Sequence, residues 1–558
     1  MDKKKLRDRL EQRRKQLYDE QTTWLAHWRD ISDYILPHHG RYLSGEEDQG
    51  NDGRKRHDNI LNCTATDGID ILASGMQSGI TSPARPWFRL QTPDPELQKF
   101  APVKEWLFQV EKMMRFVFSR SNVYQALHQT YMELGAFCTG CMSVMEDYDR
   151  LIRCRSYTTG EYMLGVDGRG IVDTMYRKFE STAIALVGLF GEENVSGAVK
   201  RAFDNGNVEQ PFNVIHVIEP NDDRLEPIAA TKGKEYRSIY YEEKAGDEKV
   251  LSIKGFNQFP IMAPRWNVVG RNAYGTGPGM KILGDVKMLQ SMEKKGLVAL
   301  DKAIEPPLRA PTAMEGSVIN TFPGGISYVD EMQQGQGLAP LYEVKPDMQG
   351  NEYKIEKVES RIRRGLYNDL FLMLQQQDVK RKQMTATEVA ERHEEKLLML
   401  GPVLERLHAE LLDPLIDRTF NIMSENDVLP PAPPEIEGVD LRVEYISILA
   451  QAQKMVSLNS IEQFTGYAGN LAGLFPEIRH DFDPRAALEE YQDGVGAPPK
   501  LLKSKDEAEA SRRAEAEQMQ QQQAMEQAKE SADAAKTLSE TPVGNNTALD
   551  ELLGRPKQ

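Results

Sequence analysis

The sequence has no hydrophobic run long enough to cross a bilayer. A membrane helix needs about 20 apolar residues, and the longest candidate among the 558 residues, around 183–190, is bounded by polar residues on both sides. A transmembrane protein is therefore excluded. Cysteine is equally sparse: 4 residues over this length cannot form a disulfide framework. The first residues, Met1-Asp-Lys-Lys-Lys-Leu, lead into more charge where a secretory signal would carry an apolar core, so the chain is expected to stay in the cytoplasm. An excess of basic charge is also missing. Lys and Arg number 69 against 85 Asp and Glu, a net charge of −16, which argues against a protein that simply wraps nucleic acid. It does not exclude one past which nucleic acid slides.

The marks of catalysis are absent too. Gly275-Thr276-Gly277-Pro278-Gly279-Met280-Lys281 has the wrong spacing for a phosphate-binding loop, and no Ser or Thr follows the lysine, so it reads as a glycine turn into a helix. Cys138-Thr139-Gly140-Cys141 has metal-ligand spacing, but neither a second such pair nor a His pair completes a zinc site. His393-Glu394-Glu395 begins like a helical zinc-protease motif, yet Leu397 stands where the second His belongs. With 9 histidines and no nucleophile, base and orienter set, the sequence points to no catalytic residue, no metal and no cofactor.

What is present is a sequence of helical and strand-like segments long enough for two to four domains. Residues 1–36 place Leu6, Leu10, Leu17, Trp24 and Trp28 on one helical stripe that Pro37 ends, and the polar stretch 38–58 reads as an exposed loop. Helices are expected at 60–79, 100–120 and 122–136. Residues 144–259 then hold strand-like runs at 171–179, 214–218, 238–241 and 249–253, interrupted by one helix around 181–207. A capping box, Thr385-Ala386-Thr387-Glu388, opens a long helix to about 424, kinked at Gly401-Pro402. Four prolines between 430 and 434 mark a linker, and 443–474 reads as helical. From Lys500 onward there is no aromatic residue, and the segment cannot bury a core alone, which favours disorder or order that depends on neighbours.

Two long helical patterns flanking a short segment of another kind are the most informative feature. The first carries Ile282, Val286, Leu289, Leu297, Leu300 and Ile304 until Pro306-Pro307 stops it; the second carries Ile355, Val358, Ile362, Leu366, Leu370 and Met373. Each is expected to run for about 25 residues, or about 40 Å. Between them, residues 308–345 are punctuated by Gly and Pro and hold a turn into a strand, 322–329. Beyond the second pattern lies a polar connector with Gln375, Gln376 and Gln377, then the one prominent cationic cluster, Lys380, Arg381 and Lys382. Alone, that cluster reads as a solvated loop; repeated round a symmetric ring, it would form a dense positive annulus.

Five segments in order resemble the head-to-tail connecting, or portal, proteins of short-tailed bacteriophages: Trp28-Arg29-Asp30-Ile31-Ser32-Asp33-Tyr34-Ile35-Leu36-Pro37; the run from Leu72 to Pro83 leading to Pro86-Trp87-Phe88; Tyr274-Gly275-Thr276-Gly277-Pro278; Met384-Thr385-Ala386-Thr387-Glu388-Val389; and Tyr445–Ala452. The resemblance implies an α+β, mainly helical subunit with a wing, a two-helix stem, a small β-containing clip and a helical crown. Such subunits assemble into a ring, typically of twelve, at one capsid vertex of the virion. On this implication the wing occupies 1–277, the first stem helix 278–304, the clip 305–345, the second stem helix 346–376, the tunnel loop 377–384, the long wing helix 385–429, the crown 430–499, and a low-complexity tail or barrel 500–558.

The resemblance also implies partners: double-stranded DNA passing through the channel during packaging and ejection, the terminase that supplies the ATPase, tail adaptor proteins, and the scaffold and major capsid proteins. Gln375, Gln376, Gln377, Lys380, Arg381 and Lys382 are then the tunnel-loop candidates, and Lys287, Lys294, Lys295, Arg361, Arg363 and Arg364 the stem charges that face the channel. Interspersed with Asp285, Glu293, Glu356 and Glu359, those charges give a mixed surface that guides DNA without fixed register. Two other readings stay open on the residues alone: a nucleic-acid-processing enzyme, for which the motifs are missing, and a capsid or tail adaptor or scaffold that binds protein only.

Overall fold

The computed structural model describes residues 3–43, 53, 55–94, 97, 100–222, 228–243, 250–309, 339–341, 347–375, 400–436, 438, 441–445, 460–471, 475, 483–495, 501–502, 505–540, 542–543 and 546–547. It is a mixture of helix and sheet that divides into two units. The first comprises Met1–Leu90, Val110–Pro431 and Val443–Ala452; the second comprises Gln91–Gln109, Ala432–Arg442 and Gln453–Gln558.

The first unit opens with helix α1, Lys3–Tyr34. Four of the five residues of its predicted stripe, Leu6, Leu10, Leu17 and Trp28, are buried, and the fifth, Trp24, is half-buried. They need a surface to cover, and a five-stranded antiparallel meander supplies it: β4 (Tyr162–Val166), β5 (Val172–Thr182), β6 (Pro211–Pro220), β7 (Tyr236–Glu242) and β8 (Ser252–Phe256), in that spatial order. Because strand side chains alternate between faces, Tyr176, Ile215, Val217, Ile239 and Tyr241 line one face and pack against the leucines of α1. Val214 points the other way, into a second cluster with Ala183, Leu186 and Val199. A buried ion pair within the sheet is extended to α1 by a half-exposed arginine. Glu219 Oε1 accepts from Arg237 Nη2 and from Arg9 Nη2, each at 2.6 Å, and its other oxygen accepts from the Tyr176 hydroxyl at 2.9 Å.

The region expected to hold one helix at 181–207 forms two short ones, α5 (Ala183–Phe190) and α6 (Gly197–Asp204). The break has a local cause: Gly191 takes φ +81°, a left-handed conformation that glycine adopts without steric cost, and Ser196 caps the second helix. Helices α2 (Thr64–Ile80), α3 (Ala101–Arg120) and α4 (Val123–Ala136) lie close to the expected spans. A smaller sheet joins β2 (Met142–Asp147), β3 (Leu151–Ser156) and β9 (Ile261–Met262). Residues 442–445, expected to be helical from 443, instead form a strand, Arg442–Tyr445, paired with β1, Phe88–Gln91. The sequence Arg-Val-Glu-Tyr alternates in the strand manner, and that period wins locally.

The long helix is described from Gly401, with Pro402 in its first turn; the capping box lies outside the described residues. It passes through a π-helical turn at His408–Leu412 before continuing over Asp413–Glu425. Pro414 accounts for the irregularity, since it has no N–H to return to Glu410 and its ring crowds that carbonyl. The Glu410 carboxylate is in turn held by the buried Arg265, whose main-chain N–H also donates to it at 2.9 Å.

In the second unit, residues 460–471 and Pro484–Val495 are helical, and Tyr491 donates its hydroxyl to Glu462 at 2.8 Å. The low-complexity tail forms a helix of 36 residues, Lys505–Glu540, where the sequence reading favours disorder or partner-dependent order. Every described side chain from Glu509 to Ala534 is exposed, so helix propensity from Ala, Glu, Gln and Lys, rather than burial, accounts for its conformation.

Candidate functional site

The two long helical patterns fold back on each other. Helix α7 is Pro278–Ile304, 27 residues and about 40 Å, with the predicted boundaries. The second pattern does not form one helix over 346–376. It gives α8, Met348–Gly365, and after a break α9, Asn368–Gln375. The break is Tyr367, a non-glycine residue held at φ +58° with its ring 5.8 Å from that of Trp266. A bulky side chain in the left-handed region is strained, and the neighbours that hold it there are specific. Leu366, Leu370 and Phe371 are all buried, and α2 receives them through two glycines. A methyl group at Gly68 would lie 2.5 Å from the Leu366 side chain, and one at Gly75 would lie 2.2 Å from the Phe371 ring.

The start of α7 is equally tight. A Cβ at Gly279 would sit 2.0 Å from the Ala136 carbonyl oxygen, and one at Gly275 would sit 2.3 Å from that of Cys138. The glycine-rich segment is thus a close-packed turn into a helix, as its spacing predicts. Tyr274, just before it, is buried with its ring 4.9 Å from Trp28, and its hydroxyl accepts the Leu164 N–H at 3.1 Å. Cys138 and Cys141 are buried, and burial pushes the Cys138 thiol up to about 12, so both behave as core residues. Among the described residues, no group of three or more His, Cys, Asp and Glu could hold a metal ion.

Burial divides the hairpin in two. In the first half of α7, Ile282, Leu283, Val286, Leu289 and Gln290 are buried. In the second half, Leu297, Val298, Leu300 and Ile304 are all exposed, Ile304 to 67%. On α8 the buried residues Val358 and Ile362 lie toward its carboxyl end, whereas Met348 and Tyr353 are exposed. The distal halves therefore project for about 20 Å without cover from the described residues. A polar clasp marks where cover ends. Gln290 Oε1 accepts the N–H groups of Leu61 and Asn62 at 2.7 and 2.9 Å, and its Nε2 donates to the Asn62 carbonyl at 2.8 Å. The Asn62 side chain then bridges the two helices, donating to Glu293 and Glu359 at 2.9 Å each.

The predicted stem charges fall into two groups. Lys287 is half-buried, pairs with Asp30 of α1 at 2.7 Å and lies over the Tyr34 ring; Arg361 pairs with Asp285 of α7 at 3.2 Å, and Arg363 with Glu359 at 3.0 Å. Lys294, Lys295 and Arg364 are exposed. Of the tunnel-loop candidates, Gln375 ends α9, while Gln376, Gln377, Lys380, Arg381 and Lys382 lie outside the described residues, as does most of the clip. Sequence reasoning missed Asn62, Gln290 and Phe371, and it held Gly75 only as part of a segment that carries the resemblance. Gln290 carried a signal, being a polar residue beside Leu289 in an otherwise apolar stripe; Asn62 and Phe371 carried none.

Two of the segments that resemble a known family thus meet at the root of the helical hairpin, Trp28 against Tyr274, and a third places Gly75 beneath Phe371. A family model described as "Bacteriophage head to tail connecting protein" matches residues 7–502. The chain belongs to that family. A probable portal protein of Bordetella phage BPP-1 is 43% identical over 537 residues, 96% of each chain, and the portal protein of Salmonella phage epsilon15 is 40% identical over 556 residues, 99% of each chain. Among solved structures, a chain from the neck of an empty GTA particle matches with a TM-score of 0.33 and 12% identity, over 73% of this chain and 87% of its own. A chain from the virion of a native gene transfer agent particle matches with 0.31 and 11%, over 72% and 95%. The hairpin covers the two segments, 278–304 and 346–376, for which the sequence reading expects a stem.

Proposed function

We propose that the chain is the portal subunit of a phage virion: copies form a ring, typically of twelve, at one capsid vertex, and their stems line a channel for double-stranded DNA. The single observation that carries the reading is the family match over nearly the whole chain, with portal proteins 40% and 43% identical across it. Two features of the stem support it. The root is rigidly held by close-packed glycines and buried aromatics, as a channel wall under load requires. The projecting half exposes apolar side chains that the described residues leave uncovered, and these fit contact with neighbouring copies. The charge on the stem suits passage rather than capture, because half of the candidate cations are neutralised by carboxylates and the protein as a whole is acidic.

In this reading the terminase docks on the clip, 305–345, during packaging, and tail adaptors take its place afterwards. Scaffold and major capsid proteins surround the wing, and the loop after α9 brings Lys380, Arg381 and Lys382 to the DNA. The deciding experiment is light scattering after size exclusion, with negative-stain images of the same peak. Rings with a central hole and a mass near twelve copies of 63.2 kDa support the reading. A monomer that forms no ring at high concentration or with scaffold protein overturns it, in favour of an adaptor that binds protein only. Replacing Lys380, Arg381 and Lys382 together by Ala should leave the ring intact and impair packaging or retention of DNA; normal packaging and retention would remove the tunnel-loop role. Deleting 308–345 should abolish terminase or adaptor binding while the wing stays folded.

A further inference from the structure

The projecting half of the stem has two unlike flanks. On one, α7 and α8 diverge to leave a groove of 710 Å³ whose lining includes Leu297, Leu300, Ile355, Glu293, Glu352 and Glu356. The carboxylates belong to one side by helical spacing: Glu352 and Glu356 precede Glu359 by seven and three residues, which puts all three on the same face of α8. Asn62 joins Glu359 to Glu293 on that side of the seam. On the other side, the seam is closed by Arg361 and Asp285. Arg361 stands two residues from Glu359, and so nearly opposite it on the helix. Lys354 lies seven residues before Arg361 on the same face, and Lys281, Lys295 and Lys302 lie on the adjoining face of α7, beside Met288 and Ala299. Lys295, Lys302 and Lys354 are exposed and, like Glu352 and Glu356, enter no ion pair among the described residues.

We propose that the acidic groove receives the basic flank of the stem of a neighbouring copy of this chain. The inference rests on the ring reading above and adds which surfaces meet. Three observations select this occupant. DNA is disfavoured in a groove lined by carboxylates, which repel phosphate. Two copies meeting groove to groove about a two-fold axis would place glutamate against glutamate. A head-to-tail contact sets unlike charges together at every junction, and it is the kind of contact from which a cyclic ring is built. The apolar floor of Leu297 and Leu300, 52% and 39% exposed, then meets Met288 and Ala299 of the neighbour and loses its contact with water.

The test is charge reversal with compensation. Glu352→Lys with Glu356→Lys sets lysines against the basic flank; Lys295→Glu with Lys354→Glu sets glutamates against the acidic groove. Each double variant should lower the fraction of chain in rings at least about tenfold at fixed concentration and low salt, with the circular dichroism and melting of the monomer unchanged. A chain carrying all four substitutions restores opposite signs at each junction and should regain rings to within about twofold of the parent. Raising the salt should narrow the gap between the doubles and the parent. Doubles that assemble as the parent does, or a quadruple variant no better than the doubles, overturn the proposal while leaving the ring reading intact. A parent that forms no rings overturns both.

Discussion

Gln290 offers the sharpest test of how the stem is anchored. It is buried on α7, and its side chain makes three hydrogen bonds to the main chain of Leu61 and Asn62, between 2.7 and 2.9 Å. Gln290→Met conserves volume and removes all three. A hydrogen bond contributes on the order of 0.5–1.5 kcal/mol net, and an orphaned buried partner costs more. Because residues 61–62 are partly exposed and water can reach some of the freed groups, the expected loss is about 2–3 kcal/mol rather than the full sum. Urea denaturation of the monomeric protein would read it as a lower midpoint with an unchanged slope. The loss should also be local. Amide exchange at Leu61 and Asn62 should accelerate, while exchange in the five-stranded sheet changes only by the global amount. A loss below about 0.5 kcal/mol, or unchanged protection at those two amides, would show that the clasp is not what fixes the stem at this point.

The buried carboxyl of Glu111 accepts the Leu90 N–H at 2.9 Å, and burial raises its pKa from 4.5 to about 7. Its folded pKa lies above the unfolded one, so stability should fall as pH rises from about 4.5 to about 7; Glu111→Gln should flatten that limb and raise stability at pH 8 by on the order of 3 kcal/mol, read from urea midpoints across pH. At His39, burial alone would lower the pKa, but the hydrogen bond and charge of Glu133 outweigh it and raise it. Its contribution should be complete below about pH 6.5, vanish as pH rises through the folded value, and disappear in Glu133→Gln, as titration of the His39 ring by NMR would show. Gly279→Ala, which drives a methyl group against the Ala136 carbonyl at the start of α7, should cost about 2–3 kcal/mol or more in thermal or urea melts, whereas Ala at Gly284, which has nothing within 4 Å, should be neutral or stabilising.

The parts of this fold legible in the sequence are those in which one period governs. The stripe of α1 and the limits of α7 follow from helical spacing ended by proline, and four of the five strands of the meander from strand-like runs ended by turns, whereas Tyr162–Val166 is not among those runs. Where a tertiary contact overrides the local pattern, the reading fails. The apolar residues of the second stem pattern continue smoothly through Leu366 and Leu370, and nothing in their spacing announces that Tyr367 turns left-handed. The reason lies some 300 residues earlier in the chain, in two glycines of α2 that admit Leu366 and Phe371. Glycine spacing within α2 is visible in the sequence, but its partner is not. The strand at Arg442–Tyr445 is similar: four residues cannot outvote helical neighbours until the facing edge of Phe88–Gln91 is known.

The same distinction explains why the stem's charges were legible as a set but not as a pattern. Read along the chain, Lys281, Lys287, Lys294 and Lys295 alternate with Asp285 and Glu293 and suggest a surface of mixed charge. Folding sorts them by their position around the seam between two helices, and that position depends on a contact between residues about 75 apart. Arg361 and Glu359, two residues apart in sequence, end on opposite flanks; Glu293 and Glu359, 66 apart, end on the same one, joined through Asn62. A sequence of interspersed charges thereby yields one acidic flank and one basic flank. On the proposed ring reading, this separation has a direct consequence. Each copy would differ from left to right, so copies would attract when they follow one another in the same sense and repel when acidic flanks meet face to face.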